Sequence, residues 1–200
     1  MVRTTQQRPV RGTAAATRAR LVAAAARVFN RVGYHGTDSN RLARAAGYAP
    51  GSFYKHFPDK RAIFLAAYAD WVTAEWAAVD AVVRTGGPPA VMAPRLVAVM
   101  LRFHRRWRGF RASMRALVAT DPVVRRFYRR QRARQLAMLA ARRGRRGAAP
   151  SADDALLLYT LERVSDAVAE GEPHALGLSS AAITARLTEV VRTYLAGRSS

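Results

Sequence analysis

The 200-residue chain contains no cysteine. That excludes disulfides, thiolate metal sites and cysteine nucleophiles, and it is compatible with a reducing cytoplasm. Acidic residues are scarce, 13 Asp and Glu against 34 Lys and Arg, for a formal net charge of +21. No apolar run approaches the roughly 18 residues that a membrane-spanning helix needs. The four histidines, His35, His56, His104 and His174, are scattered and have no metal-ligand spacing. GxSxG, P-loop and HExxH patterns are missing. The five serines before residue 170 have no evident base at a helical neighbour. These absences argue against an enzyme, and neither a metal nor a cofactor is expected.

What is present points to helix. Half of the residues are hydrophobic, and Ala, Leu, Arg and Met all favour helices. No stretch alternates like a strand and no segment repeats. The expected fold class is all-α with about nine helices. The charge is uneven. Residues 1–60 carry 11 Lys and Arg against 2 Asp and Glu, residues 61–101 carry 3 against 3, residues 102–150 carry 16 against 1, and residues 151–200 carry 4 against 7. A field of this size attracts nucleic acid or other anions. Residues 1–16, with Arg3, Arg8, Arg11 and Pro9, read as a flexible basic arm and not as a secretory signal.

Leu21, Ala25, Val28 and Val32 form a helical apolar stripe that Gly33 ends. Thr37 or Ser39 can cap a second helix reaching about Ala46, and Pro50 suits the first position of a third that ends near Phe57. A long helix is expected from Lys60 to about Arg84. Further helices follow the Gly86-Gly87-Pro88-Pro89 break, with Gly109 as a bend or break, Asp121-Pro122 opening another that runs to about Arg143, and a loop at residues 144–150. Ser151 or Asp153 caps the first of two final helices.

The most informative unit is Thr37-x-x-x-x-Leu42-Ala43-x-x-Ala46-Gly47-x-x-x-Gly51-Ser52-Phe53-Tyr54-x-His56-Phe57-x-x-Lys60. It is helix, glycine turn, helix. Ala43 lets the helices touch, Gly47 permits the turn, and Pro50, Gly51 and Ser52 offer a small N-terminal end for the major groove. Thr37, Ser39, Tyr54, Lys55, His56 and Lys60 are placed to reach bases or flanking phosphates, with Lys55 suited to a guanine edge or a phosphate. Phe53 and Phe57 belong to the core.

This unit resembles the N-terminal domain of the TetR family of repressors, whose members read T-x-x-x-I-A-x-x-A-G-V-S-x-G-[ST]-[LF]-Y-x-[HY]-F-x-x-K. The match is close from about Leu21 to Leu65; elsewhere it rests on helix number and length. Ala49 stands where the family has a capping Ser, Tyr48 replaces Val, and Pro50 takes a base-facing position, which weakens hydrogen-bond readout there. The resemblance implies a helix-turn-helix domain at 17–60 and an effector-binding and dimerisation domain at 61–200. It also implies a homodimer on a palindromic operator, released by a small-molecule effector. The alternative from another class is a nonspecific architectural DNA-binding protein without an effector.

The arginine-rich block from Arg102 to Arg146 could be a solvated face, an extra DNA contact, or a site for an anionic acyl-CoA-like effector. In the last case, arginines would hold phosphates. The acyl chain would lie among Tyr68, Trp71, Phe103, Trp107, Phe110, Phe127 and Tyr128, residues that could equally be plain core. A cationic effector is less expected, because carboxylates are few in the middle of the chain. Leu157, Leu161, Val164 and Val168 of one helix and Ile183, Leu187, Val190 and Tyr194 of the next are expected to form the dimer interface.

Overall fold

The computed structural model describes residues 13–142 and 149–197. Most of the expected basic arm, and Arg143, Arg145 and Arg146, lie outside the described residues. The described residues form ten helices and no strand: α1 Ala14–Val32, α2 Ser39–Ala45, α3 Pro50–Tyr54, α4 Lys60–Thr85, α5 Pro89–Arg106, α6 Arg108–Thr120, α7 Pro122–Ala141, α8 Ala152–Glu170, α9 Glu172–Ala175 and α10 Ser180–Ala196. The count exceeds nine because the four-residue α9 follows Gly171.

Local chemistry explains most boundaries. Thr13 caps α1, so residues 14–16, expected in the arm, are helical. Asp38 caps α2 through a 2.8 Å bond from the Arg41 N–H, and so displaces Thr37 and Ser39 from that role. Asp121 accepts from two backbone N–H groups at the start of α7, ahead of Pro122. Ser151 and Asp154 form a reciprocal capping box on α8. The break expected at Gly109 falls at Trp107, whose φ of −116° and ψ of 24° separate α5 from α6. Gly109 lies inside the first turn of α6.

One core cluster joins the first three helices to α4, α6 and α7, with Phe29, Phe53, Phe64, Tyr68 and Phe110 at its centre. The first three helices, the expected reading head, are thus packed onto the rest of the molecule by shared aromatic contacts. A second cluster joins α5, α8 and α10 through Leu96, Val97, Leu101, Leu157, Leu187 and Val191. It takes in most of the residues expected at the dimer face. Leu157, Val168 and Leu187 are buried inside one chain, and Leu161, Val164, Ile183 and Tyr194 pack half-buried against the same cluster. Among the expected residues only Val190 is exposed. The reason is that α8 is apolar on two sides: Leu156 and Tyr159, 64% and 50% exposed, face outward instead.

Candidate DNA-reading site and ligand cavity

The reading head is built around one turn. Gly47 adopts φ +80°, a left-handed conformation that is strained for residues with a Cβ. The Tyr48 N–H then reaches back to Ala43 O at 3.0 Å. This brings α3 across α2 at the fully buried Ala43. Pro50 begins α3, and Ala49 supplies no side-chain cap, as its chemistry dictates. Phe53 and Phe57 point into the core. Gly51, Tyr54 and Lys55 face outward, with Ser39, Pro50, Ser52 and His56 half-buried beside them. Four exposed arginines, Arg18, Arg20, Arg41 and Arg44, surround this surface. They were not singled out from the sequence, although all belong to its first basic block.

Two residues of the expected site turn inward. Thr37 is buried, and its hydroxyl has no hydrogen-bond partner. The Lys60 ammonium donates to Tyr34 O and Thr37 O, both at 2.9 Å, and lies 4.3 Å from the centre of the Tyr34 ring. Burial pushes the Lys60 pKa down against the attraction of Asp38. Lys60 is therefore a clamp on the connector between α1 and α2, not an outstretched phosphate ligand.

The head is also fastened to α6. Asn30 of α1 donates to Arg106 O at 2.9 Å and accepts from the Phe110 N–H at 3.1 Å. The Tyr34 N–H donates to Ser113 Oγ at 3.1 Å. Helices α1 and α6 approach so closely that a Cβ on Gly109 would lie 2.2 Å from Asn30 O. Only glycine fits there.

Residues 21–67, which span this head, match the model of bacterial regulatory proteins of the tetR family. This segment resembles the DNA-binding part of the TetR family. No curated protein matches the sequence, whereas 126 solved chains match its structure. A transcriptional regulator from Rhodococcus sp. Rha1 is 25% identical, with a TM-score of 0.67 over 90% of this chain and 96% of its own. A regulator from Saccharomonospora viridis, solved in complex with choline, is 20% identical, with a TM-score of 0.66 over 88% of this chain and 96% of its own. The fatty acid degradation regulator from Bacillus halodurans is 16% identical, with a TM-score of 0.59 over 93% of this chain and 96% of its own. At these lower identities, the likeness is one of fold. The match supports a helix-turn-helix DNA-binding regulator, and no described helix is long and apolar enough to cross a membrane.

Behind this head lies a cavity of about 80 Å³, walled by α4, α5, α6, α7, α8 and α10. Of the seven aromatic residues expected to line it, Tyr68 and Trp71 do so. Phe110 is fully buried in the core, and Phe103, Trp107, Phe127 and Tyr128 pack against the core outside the lining. Their rings are held by neighbours: Phe103 stands 6.5 Å from Trp71, Trp71 5.6 Å from Tyr68, and Tyr68 6.1 Å from Phe127. Leu157, Leu161 and Tyr194, expected between subunits, line the cavity instead.

One end of the cavity is charged. Arg111, almost wholly buried, donates to Asp166 at 2.7 and 2.8 Å and to Glu162 at 2.5 Å. Arg132 pairs with Glu162 and donates to Gln135, and Arg142 pairs with Asp80. His104 Nδ1 lies 2.7 Å from Asp166. Burial pushes the Asp166 pKa up, but hydrogen bonds from His104 and Arg111 outweigh it and hold the carboxyl well below its usual range. Burial likewise opposes the charge on Arg111, and the bond to Asp166 reverses that, so the guanidinium is held charged. Burial pushes the Tyr68 hydroxyl up to about 12. Part of the second basic block is thus an internal ion network. The arginines of the wall already have carboxylate partners, which leaves none of them free to clamp the phosphates of an acyl-CoA. Sequence reading missed Glu75, His104, Glu162 and Asp166. The available signal was the pair Glu162 and Asp166, one turn apart on an otherwise apolar side of α8.

Proposed function

We propose that this protein is a ligand-responsive TetR-type repressor that binds a palindromic operator as a homodimer and is released by a small molecule. Residues 17–60 read DNA, with Gly51, Ser52, Tyr54 and Lys55 on the contacting surface, flanked by Pro50, His56 and Ser39. Thr37 and Lys60 shape the connector behind them. Residues 61–200 hold the effector and the second subunit. Leu156 and Tyr159 on α8, with Val190 on α10, make the self-complementary apolar patch. Two-fold pairing of the chains matches the two half-sites of a palindrome.

The observation that carries this proposal is the continuity between cavity and head. Arg111 lines the cavity, and its neighbour Phe110 is bonded to Asn30 of α1. A ligand that favours one position of α6 therefore favours one position of the reading head. It needs only a differential affinity of about 1–3 kcal/mol between the two states. The choline complex of the Saccharomonospora viridis regulator supports a small-molecule role for this fold. The test is selection of bound DNA, followed by gel shifts on the selected and on random duplexes. A palindrome bound at least about a thousandfold more tightly than random sequence is the expected result. Equal affinities would instead favour an architectural DNA-binding protein without an effector.

A further inference from the structure

One charged group in the cavity wall is left unanswered by the fold. Glu75, midway along α4, is 4% exposed, and its Oε1 accepts no hydrogen bond. The nearest cationic group is His104, whose Nε2 lies 3.5 Å away and likewise makes no hydrogen bond. The guanidiniums of the wall are engaged elsewhere: Arg111 with Asp166 and Glu162, Arg132 with Glu162, and Arg142 with Asp80. Around this end four carboxylates, Glu75, Glu162, Asp166 and Glu170, meet three guanidiniums, Arg111, Arg115 and Arg132. Glu162, Asp166 and Glu170 each pair with a guanidinium, and Glu75 pairs with none. The Trp71 indole N–H beside Glu75 also lacks a partner. The far end of the cavity is aliphatic, with Val79, Val83, Leu96, Leu161 and Val191.

A buried carboxylate without a donor is costly, and it favours any ligand that brings one. A phosphate or carboxylate ligand would meet guanidiniums already paired and an uncompensated like charge. We infer that the cavity takes an organic ammonium, a protonated amine on an apolar body, with its N–H groups on Glu75 and its hydrocarbon among the aliphatic residues. His104 is faced by Glu75 and Trp71 from α4, by Arg111 from α6 and by Asp166 from α8. The regulatory consequence rests on the function proposed above; the binding itself does not.

The test is calorimetric titration of the full chain with n-alkylamines from butyl to octyl, beside the alcohols and carboxylates of equal length. Amines are expected to bind at least about tenfold more tightly than either. Glu75→Gln is expected to remove that preference. Should Glu75→Gln not fold, the ligand series on the unaltered chain decides alone. Carboxylates or alcohols binding as tightly as amines, or an amine affinity indifferent to Glu75, would overturn the inference. Gel shifts with the same ligands separate it from the regulator proposal. Amine binding that depends on Glu75 but leaves DNA bound keeps the site and removes its effector role. DNA release by another ligand class, without such amine binding, removes the site and keeps the regulator.

Discussion

Lys60 illustrates how a residue's partners decide its role. In the sequence it is a cation at the edge of a DNA-reading motif; in the fold it satisfies two carbonyls of the α1–α2 connector. Lys60→Met keeps the apolar stem and leaves both carbonyls without a donor. A loss of about 1–3 kcal/mol in urea unfolding is expected, and an unchanged midpoint would mean that the connector does not depend on the clamp. Asp166 gives a pH dependence. Its carboxyl is held low in the folded chain, so as the solution is acidified the unfolded chain takes up this proton first. The associated stability is complete above about pH 4 and lost below it. Urea midpoints between pH 3 and pH 7 should trace that fall. Asp166→Asn should flatten it and cost about 3–5 kcal/mol at neutral pH, because Arg111 loses its main partner.

At the scale of elements, what could be read from the sequence was what neighbours in the chain decide. The stripe of α1, the Gly47 turn, the proline at the start of α3 and the capping box of α8 all follow from residues within a few positions of one another. The ion network does not, because Arg111 and Asp166 are 55 residues apart and nothing local distinguishes a buried arginine from a solvated one. Helix α8 posed a related difficulty. With apolar residues on two sides, its sequence could not say which side meets α5 and α10. The junction of α1 with α6 was also hidden, since Gly109 looks like a helix breaker until Asn30 is seen against it. Gly109→Ala would place a methyl 2.2 Å from Asn30 O, and a loss of about 1–3 kcal/mol is expected. Gly51→Ala is the matching control, because nothing lies within 4 Å of the added methyl. Denaturation should affect only the first variant. If both unfold alike, the close approach of α1 and α6 is not a constraint on the fold.

For the whole molecule, the two signs of charge are segregated by function. Exposed arginines crowd the reading head, while the carboxylates of α8 are largely spent inside on α6 and α7. In the proposed dimer, a second copy covers the outward apolar side of α8. Leu156→Lys with Tyr159→Lys places two like charges on that patch in each chain. Light scattering is expected to show a monomer, and affinity for the palindrome should fall toward that of a single half-site; a dimer that persists would place the interface elsewhere. The chain has three tryptophans, and two of them, Trp71 and Trp76, line the cavity. Each has a guanidinium over its ring, Arg111 at 4.8 Å and Arg142 at 4.7 Å. Indole emission responds to local polarity and to nearby charge, so the protein carries its own optical probe. A shift in its fluorescence spectrum should report an occupied cavity without any added label.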